Sequence, residues 1–253
     1  MINAIGDVLE QVLRYFMSVT GSAGVAIILL TLAIKLVLHP LTRRQLRSMK
    51  QMQVLTPQIN ALRAKYKDNP QQMNSEVMSL YRANGVNPLS GCLPMLVQLP
   101  VLWGLFAVLR RVEIFHGATF LGFSLEATPW AHGLAGLMSN PLLLIWPLLV
   151  AVSGYFQQRI SITDPQQARM FLFMPLMFGI FAVNFPIGLS VYWTTTTLAY
   201  ILEYYIVVGR PAQAKALAPS LPAVTPDGET PAKALVASKK PILSQRPKGA
   251  KKR

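Results

Sequence analysis

Five stretches of this chain approach the roughly 20 apolar residues that an α-helix needs to cross a bilayer. They fall at about 22–40, 89–109, 142–157, 170–185 and 189–208. Pro175 lies within the fourth, which a span tolerates because neighbouring helices re-satisfy the freed backbone groups. The predicted fold class is an all-α polytopic membrane protein. Its core would be a five-transmembrane-helix bundle, with a cytoplasmic helical hairpin and an N-terminal amphipathic helix.

Composition agrees with a lipid environment. Only 13% of the 253 residues are charged, against about 25% in soluble domains. Lys and Arg number 24 and Asp and Glu 10, a net charge of +14. On a soluble protein such an excess suggests nucleic acid. Here the cations lie between and after the apolar runs, so no specific DNA partner is expected. Cys92 is the single cysteine, which excludes an intramolecular disulfide.

The charged residues also orient the chain. The segment 42–88 carries Arg43, Arg44, Arg47, Lys50, Arg63, Lys65, Lys67 and Arg82 against Asp68 and Glu76. The tail after Gly209 carries ten Lys and Arg against Asp227 and Glu229, whereas 110–140 carries two Arg and two Glu. Positive loops stay cytoplasmic, so five spans place the N-terminus outside and the C-terminus inside. Before the first span, Ile2, Ile5, Leu9, Leu13 and Phe16 recur at amphipathic-helix spacing over residues 1–20, predicting an interfacial helix. Asp7 and Glu10 stand where a secretory signal would be positive, so this segment does not read as one.

Within 42–88, Leu46, Met49, Met52, Leu55, Ile59 and Leu62 keep helical spacing as far as Asp68-Asn-Pro70. A second helix is expected from Gln71 through Tyr81, with Gly85 as a C-terminal cap. The two form a hairpin whose Met49, Met52, Met73 and Met78 either pack its arms together or present an adaptable apolar face. From 210 to 253, Pro, Ala and Lys dominate, the composition of a disordered basic tail. The core therefore spans 21–209.

Polar residues inside the spans mark the candidate site. Lys35 interrupts the run from Gly24 to Leu38, and a cation there costs roughly 2.5–3.5 kcal/mol on insertion scales. Thr31, Lys35 and His39 follow at i, i+4 and i+8, on one helix face. They line a wet cavity, or else Lys35 snorkels to the nearby interface. Gln98 lies between Pro94 and Pro100 and either faces that cavity or bonds a neighbouring helix. In the last span Ser190, Trp193, Thr194, Thr197 and Tyr200 form a polar and aromatic stripe, although Thr hydroxyls also return to their own helix. Tyr192 and Trp193 read equally as interfacial aromatics. Glu203 lies about as far from the inner membrane face as Lys35, which makes it a candidate charge partner.

No catalytic constellation is present. His39, His116 and His132 are scattered, and the chain has no His-Glu-x-x-His, Gly-x-Ser-x-Gly, Walker or Rossmann pattern. Asp164, within Thr163-Asp-Pro165, reads as a turn or helix cap. No enzyme activity, cofactor or metal is expected.

The string Asn87-Pro-Leu-Ser-Gly-Cys-Leu-Pro-Met-Leu-Val-Gln-Leu-Pro100 is specific. It joins Leu38-His-Pro-Leu-Thr42, Thr163-Asp-Pro165 and Phe185-Pro-Ile-Gly-Leu-Ser-Val-Tyr-Trp193. With these motifs, the chain closely resembles the YidC/Oxa/Albino membrane protein insertases, from about Gly21 to Gly209, in the short five-span form. The resemblance implies a five-helix bundle in the bacterial plasma (inner) membrane. Its hydrophilic groove would open to the cytoplasm and to lipid. Such a protein inserts nascent membrane proteins, without nucleotide hydrolysis. It also implies that Lys35 stands where the family carries Arg, keeping the charge but losing the bidentate fork. Gln98, Tyr192 and Trp193 come to the groove lining by the same motifs. Thr31 and Thr197 extend that lining by their helical spacing.

Implied partners are nascent membrane proteins, membrane lipid and, through the basic hairpin and tail, the ribosome. Action beside the Sec translocon is left open. A small-solute transporter or channel, with Lys35 and Glu203 on a polar pathway, is the alternative. Five spans offer no evident inverted repeat for it.

Overall fold

The computed structural model describes residues 2–87, 93–110, 115, 117–162 and 171–209. Cys92, His116, the Thr163-Asp-Pro165 turn, the centre of the Asn87–Pro100 string and the basic tail lie outside the described residues.

The chain begins with α1 (Ile2–Thr20), turns at Gly21 with φ +66°, and enters α2 (Ala23–Lys65). The left-handed turn suits a residue without Cβ. Helix α2 runs unbroken for 43 residues and carries both the first apolar stretch and the first arm of the basic segment. The first apolar stretch ends near residue 40, yet the helix does not, and Pro40 and Pro57 both sit inside it. A proline removes one intrahelical bond, and here the helix continues past it, with Thr42 Oγ1 returning to the Leu38 carbonyl at 3.2 Å. Asn69 then caps α3 (Pro70–Ala83), accepting from the Gln72 N–H at 3.1 Å, with Pro70 at the first helical position. Gly85 follows at φ +64°.

Helix α4 (Leu93–Arg110) leads to a hairpin of β1 (Thr119–Phe120) and β2 (Phe123–Ser124). The strands are antiparallel, with Phe120 opposite Phe123. Leu121 and Gly122 both take positive φ, 51° and 82°, as a two-residue turn between right-twisted strands requires. After α5 (Gly133–Ser139) and a single 3-10 turn come α6 (Ile145–Ser161), α7 (Met174–Ala182) and α8 (Ile187–Val207).

Helix α6 packs along α7 and α8, α2 along α8 and α1, and α1 along α4. Small residues permit the α6–α7 approach, since a Cβ on Gly179 would lie 2.6 Å from Ala151 Cβ. Such contacts bring membrane helices close enough for backbone packing. Two helices among the described residues are long and apolar enough to cross a membrane, within 23–65 and 141–161. The remaining expected spans overlap α4, α7 and α8, of which α7 has nine residues against the expected stretch at about 170–185. Polar residues in α8, among them four successive Thr and Glu203, dilute an otherwise apolar 21-residue helix.

The core has two ends. At the end holding the β-hairpin, Leu9, Leu13, Ile27, Leu105, Phe115, Leu125, Trp146 and Ile187 form one buried cluster. At the opposite end, Leu46 and Met49 of α2 pack on Tyr200, Tyr204 and Val208. A third cluster of Leu55, Ile59 and Val86 joins the far arm of α2 to Val77, Leu80 and Tyr81. The hairpin arms are thus held by aliphatic and tyrosine side chains together with Met52, one of the four expected Met residues. Met49 belongs to the contact with α8, and Met78 is exposed.

Candidate functional site

The first turn of a helix has N–H groups without intrahelical partners. In α8 two of these are taken by the loop above it. Ile187 N–H donates to the Ala127 carbonyl and Gly188 N–H to Leu125, each at 3.0 Å. Trp130 N–H reaches Val183 at 2.9 Å. Phe120 lies over Gly24, where a Cβ would come within 2.2 Å of its ring, and both Phe120 and Phe123 contact the Trp146 ring. Backbone bonds and aromatic packing therefore close the bundle at this end.

Below that lid the polar residues separate into groups. Thr31 is 1% exposed and Thr197 2%, and each hydroxyl donates to its own helix, to Ile27 O at 2.7 Å and Trp193 O at 2.9 Å. Their bonding needs are met locally. Gln98 Nε2 donates to the Tyr192 hydroxyl, joining α4 to α8 through a half-buried amide and a buried tyrosine. Trp193, one residue on, turns to another face. Its ring stacks at 5.3 Å from Phe178 and borders an apolar cavity of about 330 Å³ with Trp103, Phe106 and Phe181.

One turn nearer the α2–α3 arm lies the charged group. Lys35 is half-buried, its ammonium 5.8 Å from the centroid of the Tyr200 ring. That ring face attracts a cation without neutralising it. Tyr200 is itself fixed, its hydroxyl accepting from Ser161 Oγ at 3.2 Å and lying 3.4 Å from Met49 Sδ. Glu203 lies within electrostatic range of Lys35. Its Oε1 is instead 2.6 Å from His39 Nδ1, while Oε2 is buried without a hydrogen-bond partner. Next along α8, Tyr204 hydrogen-bonds Gln53, and Lys50 donates to the carbonyl of Val208 at 3.0 Å. A cation at this carboxyl-terminal carbonyl complements the helix dipole.

The structure thus brings Lys35 near Glu203, and Gln98 onto Tyr192, but sets Trp193 apart. His39 as the partner of Glu203, Tyr200 as the seat of Lys35, and the aromatic cavity were not identified as site features from sequence. The i+4 step from Lys35 to His39 and the i−3 step from Glu203 to Tyr200 were the available signals. Among the described residues, no three His, Cys, Asp or Glu are grouped to hold a metal ion.

A family model described as the 60Kd inner membrane protein matches residues 15–213. The chain belongs to this family. Relatives named membrane protein insertase YidC are 37% identical in Granulibacter bethesdensis, over 78% of this chain and 37% of that protein. The Helicobacter pylori relative of that name is also 37% identical, over 77% of this chain and 34% of that protein. The chain thus spans about a third of the length of these relatives. A crystal structure described as an active YidC insertase with its first transmembrane domain resolved is similar at a TM-score of 0.64 and 33% identity. That similarity covers 80% of this chain and 46% of that one. The match to the inner membrane protein family thus includes all of α2 through α8, and with them every candidate site residue.

Proposed function

We propose that this chain inserts nascent membrane proteins into the lipid bilayer of a bacterial inner membrane. In this reading α2, α4, α6, α7 and α8 are five spans, with the β-hairpin end outside and the α2–α3 arm and basic tail in the cytoplasm. The carrying observation is Lys35, seated on the Tyr200 ring and making no ion pair among the described residues. A half-buried cation without a carboxylate in contact is costly, and it suits transient attraction of acidic groups in an incoming segment.

The physical task is to carry a short polar segment through lipid. A polar recess entering from the cytoplasmic side shortens the apolar path, while the packed opposite end keeps the membrane sealed. Lys35, Gln98 and Tyr192 supply its polar groups, and Trp193 offers an apolar surface along which the substrate's hydrophobic segment leaves. Thr31 and Thr197 shape the wall. The α2–α3 arm receives the substrate, and its cations together with the tail suit contact with a ribosome. The closed β-hairpin end supports this reading over a solute pathway, which needs access from both faces.

Photo-crosslinkers placed at Lys35, Gln98 and Trp193 test the reading against a stalled nascent membrane protein. Adducts from Lys35 and Gln98 are expected. Their absence from all three positions in folded protein sinks the groove.

A further inference from the structure

The carboxylate of Glu203 lies between two bases one helical turn apart on α2, Lys35 and His39. Direct contact with Lys35 would neutralise the cation on which the proposed function rests. The structure shows the opposite arrangement. His39 takes Glu203 Oε1 at 2.6 Å, on the side of the pair towards the α2–α3 arm, and Lys35 rests on Tyr200. The aromatic seat and the histidine act together, since Tyr200 and Glu203 are three residues apart on α8 and therefore share a face.

We infer that His39 is a positioning residue that sequesters Glu203 and thereby keeps Lys35 available as an attracting cation. Two observations carry this. The short His39–Glu203 contact crosses between helices, so it constrains the carboxylate more than an exposed surface pair would. The second oxygen, Oε2, is buried and without a hydrogen-bond partner, so the carboxylate has an unmet demand that Lys35 would satisfy once His39 is removed. A carboxylate with spare acceptor capacity one turn from an ammonium stays apart only if something else holds it. His39 does so.

This inference deepens the insertase reading and rests on it, so the test separates the two. The full chain is reconstituted in proteoliposomes with two single-span substrates, one with acidic residues in its short translocated tail and one with a neutral tail. His39→Ala is expected to lower insertion of the acidic-tailed substrate by about fivefold, in the range of coupling between contacting residues, and to spare the neutral-tailed one. The double variant His39→Ala/Glu203→Gln is expected to recover the loss, because the carboxylate that captures Lys35 is gone. His39→Asn, which keeps a donor, is expected to recover much of it too, and covers the case in which the alanine variant fails to fold. Equal defects in the single and double variants, or equal losses for both substrates, overturn the positioning role. Full insertion of the acidic-tailed substrate by Lys35→Ala overturns the groove-cation reading itself. A defective Lys35→Ala alongside an unaffected His39→Ala overturns only the role of His39.

Discussion

His39 Nδ1 and Glu203 Oε1 stand 2.6 Å apart and join α2 to α8 in the half of the bundle away from the β-hairpin. The carboxylate is 12% exposed, the imidazole 41%. Truncating the histidine therefore takes a hydrogen bond from a largely buried acid, which then draws Lys35 off its ring, whereas neutralising the acid removes the demand. His39→Ala is expected to destabilise the detergent-solubilised protein by about 1–3 kcal/mol, the worth of a hydrogen bond to a charged group that Lys35 replaces only in part. Glu203→Gln should cost less. Thermal unfolding of both variants checks the order, and a more damaging Glu203→Gln would contradict it.

Gln98 and Tyr192 link α4 to α8 by one side-chain hydrogen bond. Such bonds between membrane helices average about 0.6 kcal/mol and rarely exceed 2. Tyr192→Phe keeps the buried ring and loses only the hydroxyl, so a small loss is expected. A double-mutant cycle with Gln98→Ala should return coupling of about that size. Zero coupling would mean the contact is not formed in solution.

Helices α6 and α7 approach through small residues. A Cβ at Gly179 would meet Ala151 Cβ at 2.6 Å and the Pro147 carbonyl at 3.2 Å, whereas one at Gly154 meets Pro175 at an ordinary 3.6 Å. Gly179→Ala is expected to lose about 1–3 kcal/mol by overpacking, and Gly154→Ala almost nothing. Parallel denaturation curves distinguish the two, and equal effects would deny the close approach.

At the closed end, the Phe120 ring occupies the space in which a Gly24 side chain would sit. Gly24→Ala should lift the β-hairpin from α2 and raise its rate of backbone hydrogen exchange. Phe120→Ala in the same chain should reverse the clash, leaving a cavity defect only. A hairpin equally protected in Gly24→Ala would show that the ring moves aside freely.

Much of this was legible in the residues. The apolar lengths and the Asn87–Pro100 string pointed to a helical membrane protein and to its family, because both are local features. Asp68-Asn-Pro70 likewise read as the boundary between the two arms, with the second helix expected from Gln71 and found from Pro70. That the first span and the first hairpin arm are one helix, continuing through Pro40, was not legible, because apolar length bounds the span and not the helix. Thr31 and Thr197 fell in polar stripes by spacing, but spacing does not reveal whether a hydroxyl faces water or its own carbonyl. Tyr192 and Trp193, adjacent in sequence, serve a hydrogen bond and an apolar cavity because about 100° of helix separates them.

Helix type, apolar length and the positions of charge follow from neighbours along the chain, and no partner is needed to state them. Depth along each span could be counted in the same way, which is why Lys35 and Glu203 were matched. Which carboxylate oxygen meets which base depends on how α2 and α8 are rotated and crossed, set by packing at Leu46, Met49, Tyr200 and Tyr204. That rotation gives Glu203 to His39 and leaves Lys35 on an aromatic ring, a distinction of a few ångströms that no periodicity along one helix contains.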